Sequence, residues 1–107
     1  MYMNLQITGR HLEITDAIRE FINEKLTRLE RHFDHITDIH VIIDVIKDTH
    51  IAEAKINLAG TEIFAASKMN DLYASIDILL DKLDRQVIKY KEKIKDHHAT
   101  VSKFNQP

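Results

Sequence analysis

The cations near the C-terminal end of the chain have a spacing that suits phosphate binding. Lys82, Arg85, Lys89 and Lys93 recur at intervals of three or four residues, within and just before the run DRQVIKYKEKIK at 84–95. This spacing places them on one side of a helix. Lys and Arg side chains there can bind phosphates and displace the counterions condensed on a nucleic acid. Because the formal net charge of the chain is -2, we expect a localised site rather than attraction to every polyanion.

Carboxylates occupy a separate side of the same predicted helix. With Leu72 at zero and about 100° per residue, the cations fall at about 220–300° and a group of acidic residues at about 120–200°. That acidic group includes Asp77 and Asp81, which we expect to face away from bound phosphates. An alternative stays open, because cations at a helix C-terminus also simply offset the helix dipole.

A second, smaller basic group lies in the C-terminal half of the preceding predicted helix. Lys25 and Arg28 fall on one side of it, while Arg31 lies between them and a group of acidic residues. Both helices therefore carry their cations mainly in their C-terminal halves. Two such basic stripes favour a phosphate-binding surface over dipole compensation alone.

Other chemistries receive little support from the residues. The chain has no cysteine, which excludes disulfides, thiolate metal sites and thiol nucleophiles. His97 with His98, or His32 with His35, offers no third metal ligand at a recognisable spacing. Since the chain has two glycines and no nucleophile-elbow motif, we predict no enzyme, no cofactor and no metal site.

Hydrophobic spacing predicts the elements that position these cations. Alternating apolar residues indicate strands and three-to-four-residue spacing indicates helices. We predict a strand at 2–8, a helix at 15–34 capped by Thr15, strands at 36–47, 50–59 and 61–67, and a helix at 70–97 capped by Asn70. Turns are expected at Asp48 and Thr49 and at Gly60.

This order predicts an α+β domain. A crossover through the first helix makes the first two strands parallel, and two hairpins complete a four-stranded mixed sheet. The two helices then run parallel on one face. We assign Arg85 and Lys89 to the groove between the helices, and Lys25 and Arg28 to the outer flank of the first helix.

Three stretches of the chain carry a resemblance to a known family: EITDAIREF at 13–21, KLTRLERHFDHI at 25–36 and NDLYASIDILLDKLDRQVIKYKEKIK at 70–95. They resemble the short ribosome hibernation promoting factors and the related ribosome-associated inhibitor. The resemblance covers about 1–96, which we take as the ribosome-binding domain, and leaves 97–107 as an expected flexible tail.

The resemblance implies a function for the basic stripes. Members of this family bind the small ribosomal subunit in the channel of messenger RNA and tRNA, and thereby block translation and preserve idle ribosomes. It implies ribosomal RNA contacts at Lys25, Arg28, Arg31, Lys82, Arg85, Lys89, Lys91 and Lys93.

Partners and location follow as further expectations. We expect a cytoplasmic monomer without a membrane segment, and any pairing of ribosomes would need a separate ribosome modulation factor. The tail leaves open whether the chain promotes or prevents pairing, and we favour promotion. The alternative function is a protein-interaction module that modulates a transcription factor, for which Ile78 and Ile88 are candidate exposed apolar residues.

Overall fold

Six elements follow the predicted order of strands and helices. The computed structural model describes residues 4–28, 36–58 and 60–103, with the side chains of these residues up to 92. The elements are β1 (Asn4–Arg10), α1 (Asp16–Arg28), β2 (Ile36–Ile46), β3 (Thr49–Leu58), β4 (Thr61–Met69) and α2 (Leu72–Lys103). The predicted α+β class is confirmed.

The four strands form one mixed sheet in the order β1-β2-β3-β4. β1 pairs in parallel with β2, while β2–β3 and β3–β4 are antiparallel hairpins. The helices run in the same direction, since Phe21 of α1 contacts Tyr73 of α2 and, one turn later, Lys25 contacts Asp77. Both helices pack on one face, and the other face of the sheet carries no helix of the described chain.

The core lies between that sheet face and the two helices. Alternate residues of the strands point into it, including Val41 and Ile43 of β2 and Ala54 and Ile56 of β3. α1 contributes Ile18, Ile22 and Leu26, and α2 contributes Ile76, Leu79, Leu80, Leu83 and Val87. Apolar residues that recur every second position in the strands and every three or four positions in the helices thus form a single apolar layer.

Side-chain caps start both helices. The Thr15 hydroxyl accepts a hydrogen bond from the Ile18 backbone N–H at 3.2 Å, which confirms the predicted cap. At α2 the cap is Asp71, whose carboxylate accepts from the Ala74 N–H at 2.9 Å. The predicted cap, Asn70, was therefore wrong by one residue. A capping side chain accepts from a backbone N–H two or three positions later, and the N–H that is bonded here belongs to Ala74, three positions after Asp71.

The first turn and the end of α2 also differ from prediction. The first turn uses Lys47 and Asp48 rather than Asp48 and Thr49, with Lys47 at a φ of 57°, while Gly60 has a φ of 83° in the second turn as expected. α2 continues to Lys103 instead of ending at 97, since no glycine or proline interrupts the intervening residues.

The face of the sheet opposite the helices carries polar side chains together with Ile42, Ile51 and the exposed Phe64. Near the end of β1, Nδ1 of His11 lies 2.8 Å from a carboxylate oxygen of Asp44, and the Val45 backbone N–H donates to the same oxygen at 2.8 Å. The hydrogen bond to His11, together with the Val45 N–H and the charges of His11 and Arg10, holds the pKa of Asp44 below its ordinary value against the opposing effect of burial. Folding therefore favours the ionised form of this carboxyl.

We predict that His11→Ala raises the pKa of Asp44 towards its ordinary value. A carboxyl whose pKa is lowered by folding stabilises the protein above its unfolded pKa, and this contribution is lost as the pH falls through the folded pKa. As the pH is lowered through the folded pKa of Asp44, the free energy of unfolding should therefore fall less for the variant than for the parent. Carbon-13 NMR titration of the Asp44 carboxyl, with unfolding curves at each pH, measures both effects.

A matched control replaces His40, which lies 3.0 Å from the Thr8 hydroxyl on the same sheet face. His40→Ala should leave the Asp44 titration unchanged. An equal shift in both variants would show that loss of a histidine, rather than loss of the His11 contact, moves the pKa.

Candidate nucleic-acid interface

α2 presents a polar flank on each side of its buried stripe. Leu79, Leu80 and Leu83 are fully buried against the sheet, and this fixes how the helix is rotated. One flank faces α1 and the other faces outward, beyond the edge of β4. The charges of these two flanks decide where a phosphate can bind.

The flank that faces α1 is acidic. Asp77 and Asp81 lie one turn apart on α2, and both contact the Lys25 ammonium of α1, the second at a distance of 3.7 Å. The Lys25 side chain is only 16% exposed. Lys25 is therefore held within the seam between the helices instead of projecting from the outer flank of α1.

The prediction that Arg85 and Lys89 occupy this groove, with Lys25 outside, was wrong. α2 packs over β3 and β4, and its basic side is directed towards the open edge of β4. The acidic side of α2 therefore faces α1. Opposite charges pair across the seam, and the basic residues of α2 remain outside it.

The outer flank of α2 covers the edge of β4. The Lys82 ammonium donates a hydrogen bond to the Ala66 carbonyl at 2.9 Å, and the Gln86 amide donates to the Phe64 carbonyl at 2.9 Å. These side chains occupy acceptors that an edge strand would otherwise offer to another chain. Gln86 was not predicted as a site residue, because an amide in a charged stripe carries no distinctive sequence signal.

Arg85 and Lys89 are the cations best placed to receive a phosphate. Both side chains are exposed, and neither makes a hydrogen bond or ion pair with another described residue. They line a shallow depression of about 330 Å³ together with Gln86, Ile88 and Glu92. An apolar floor with two cations at its rim suits a sugar-phosphate backbone.

The other predicted RNA contacts lie at different places on the protein and differ in exposure. Arg28 is exposed at the end of α1, Lys82 is exposed on the outer flank, and Lys91 is half-buried. Lys93 belongs to α2, but its side chain lies outside the described part of the chain, as does Arg31 altogether. The structure thus brings Lys82, Arg85 and Lys89 together on one flank and separates Lys25 from them.

The described residues contain neither a candidate metal site nor a helix that could span a membrane. Among them, no cluster of three or more histidines, aspartates or glutamates is arranged to hold a metal ion. The side chains of His32, His35, His97 and His98 are not described. No helix in the described ranges is sufficiently long and apolar to cross a membrane.

Comparison with known proteins connects this geometry to a family. Residues 5–95 match the family described as "Sigma 54 modulation protein / S30EA ribosomal protein". The chain is 50% identical over 91 residues to a ribosome hibernation promoting factor of Azotobacter vinelandii, covering 85% of each chain. It is 46% identical over 95 residues to that of Escherichia coli K12, covering 89% of this chain and 100% of the relative.

A solved structure shares both the fold and the sequence pattern. A ribosomal subunit interface protein from Coxiella burnetii superposes with a TM-score of 0.79 at 36% identity, covering 86% of this chain and 99% of the other. The family match, the identities and the shared β-α-β-β-β-α fold agree over the same region. The chain is a member of the S30EA ribosomal protein family.

Proposed function

We propose that this protein is a ribosome hibernation factor that binds the RNA of the small ribosomal subunit. The observation that carries the proposal is the outer flank of α2, where Arg85 and Lys89 stand exposed beside a depression on a chain of net charge -2. The names of the relatives, hibernation promoting factor and subunit interface protein, support the same partner.

The mechanism we propose is steric. The protein occupies the channel that messenger RNA and tRNA would use, so translation stops and the idle ribosome is preserved. It acts in the cytoplasm as a monomer, without catalysis, and any pairing of ribosomes depends on a separate modulation factor. The proposed phosphate contacts are Arg28, Arg31, Lys82, Arg85, Lys89, Lys91 and Lys93.

Recognition of the RNA backbone agrees with the residue types on this flank. Cations and amides suit phosphate and sugar contacts, and an exposed aromatic platform for base stacking is missing from the described residues of the α2 outer flank. Folded RNA is commonly recognised by shape and backbone in this way. The transcription-factor alternative has less support, because Ile78 and Ile88 are half-buried rather than exposed and the names of the relatives reported above refer to the ribosome.

We predict that affinity for small subunits falls steeply with salt. If about five of these proposed contacts neutralise a phosphate at the same time, the logarithm of the affinity should fall against the logarithm of salt concentration with a slope of roughly -3.5 to -4.5. Sedimentation with purified small subunits at several salt concentrations measures the slope. A slope near zero would contradict phosphate binding.

We also predict that Arg85→Ala and Lys89→Ala each weaken binding to small subunits. Each should lower the magnitude of the salt slope by about 0.7–0.9, because one phosphate contact is lost. Thermal unfolding should change little, since both side chains are exposed.

Lys55→Ala is the matched control for these two variants. Lys55 is exposed on β3, on the face of the sheet opposite the helices, and the substitution removes the same charge. Its affinity and slope should equal those of the parent. If all three variants lose affinity equally, net charge rather than the outer flank of α2 governs binding.

A further inference from the structure

Gln86 is a neutral side chain among the cations of the outer flank of α2. It lies four positions after Lys82 and three before Lys89, so both are its neighbours on the helix surface, and it follows Arg85 directly. Lys and Arg side chains are donors only, whereas an amide carries donors and an acceptor. Gln86 therefore adds to this flank a kind of group that its cations lack.

The orientation of the Gln86 amide follows from its contact with β4. Nε2 donates to the Phe64 carbonyl at 2.9 Å, and a carbonyl oxygen can accept only from the nitrogen of an amide. Oε1 is thereby the atom that is left without a bond to β4, and it makes no hydrogen bond to another described residue. The side chain is exposed, so a ligand on this flank can reach the oxygen.

Covering the edge of β4 does not by itself require an amide. One turn earlier, the Lys82 ammonium donates to the Ala66 carbonyl at the same distance, 2.9 Å. A lysine at position 86 could bind the Phe64 carbonyl in the same way and would add a cation for phosphate. What the amide supplies and a lysine cannot supply is the acceptor Oε1.

An acceptor between cations matches the order of groups along an RNA strand. Each ribose lies between two phosphates and carries a 2′-hydroxyl, which can donate a hydrogen bond and is absent from DNA. Gln86 lies between Lys82 and Lys89 in the same alternation, and it lines the depression of about 330 Å³ with Arg85 and Lys89. Phosphates held by these cations would place a ribose beside Oε1.

We propose that Oε1 of Gln86 accepts a hydrogen bond from a ribose 2′-hydroxyl and makes this part of the surface selective for RNA over DNA. The inference rests on the proposed function and names the sugar that the site takes. The hydroxyl contact adds to the phosphate contacts of both helices and replaces none of them. Gln86 is thus a specificity-determining residue, and Lys82, Arg85 and Lys89 hold the flanking phosphates.

The test compares two single strands of about twenty nucleotides, oligouridylate and oligodeoxyuridylate, which differ only in the 2′-hydroxyl. The parent should bind the RNA strand about three- to tenfold more tightly than the DNA strand, as expected for one additional hydrogen bond. Both strands carry the same number of phosphates, so a change in protein charge affects both affinities alike. Equal affinities in the parent would overturn the proposal.

Gln86→Met and Gln86→Lys remove the acceptor in two different ways. Met retains the length of the side chain without its hydrogen bonds, whereas Lys can still donate to the Phe64 carbonyl and adds a charge. Each variant should bring the ratio of the two affinities to about one, although Gln86→Lys should bind both strands more tightly than the parent. Since Gln86→Lys keeps the contact with β4, a preference for RNA that survives in this folded variant contradicts the proposal.

Two controls separate Gln86 from other groups. Gln6→Met makes the same substitution at an exposed position of β1, far from α2, and should keep the ratio of the parent. Glu92→Ala removes the other side-chain acceptor that lines the depression, and it should bind both strands more tightly with an unchanged ratio. A ratio of about one for Glu92→Ala, with the preference retained in Gln86→Met, would assign the hydroxyl contact to Glu92 and refute the proposal.

Binding to small subunits distinguishes this proposal from the proposed function. Gln86→Met should weaken that binding about three- to tenfold with an unchanged salt slope, because a hydrogen bond but no phosphate contact is lost. If Arg85→Ala and Lys89→Ala weaken binding while Gln86→Met binds like the parent, only the hydroxyl contact fails. If all three variants bind like the parent, the proposed function fails as well.

Discussion

Burial of the apolar stripe of α2 is the constraint on which the rest of the molecule depends. Ile76, Leu79, Leu80 and Leu83 are fully buried, and burying each such side chain contributes roughly 1.5–3 kcal/mol. An exposed ion pair contributes about 0–1 kcal/mol. The core therefore sets the rotation of the helix, and the positions of its charged flanks follow from that rotation.

Separation of charge on α2 reconciles a slightly acidic chain with an RNA-binding surface. Asp77 and Asp81 are directed to the seam with α1, where Lys25 meets them, while Arg85 and Lys89 are exposed on the opposite side. The local field at the outer flank can thus be positive although the net charge is negative. The same flank also protects the sheet, since Lys82 and Gln86 bind carbonyls of the edge strand β4.

The sequence was sufficient to predict the order of the elements, the core-facing side of each and the separation of Arg85 and Lys89 from the acidic side of α2, but it placed these two cations wrongly in the groove between the helices. These properties depend on local periodicity and on burial of apolar residues, which can be read from one segment at a time. The position of Lys25 could not be predicted in this way. The helical angle of a residue shows on which side of the apolar stripe it lies. Which element packs against that side depends on the strands that the helix covers. The Asp71 cap and the positive φ of Lys47 likewise depend on where the chain turns.

Lysine reactivity in the free and the ribosome-bound protein tests the central claim, that one flank of α2 contacts RNA, most directly. Acetylation of surface lysines followed by mass spectrometry uses the unmodified sequence and includes its own controls. The account predicts that small subunits protect Lys89, while Lys47, Lys55 and Lys68, which are exposed on the turn and strands of the sheet, react at the same rate in both states. Protection of these three lysines with undiminished reactivity at Lys89 would contradict it.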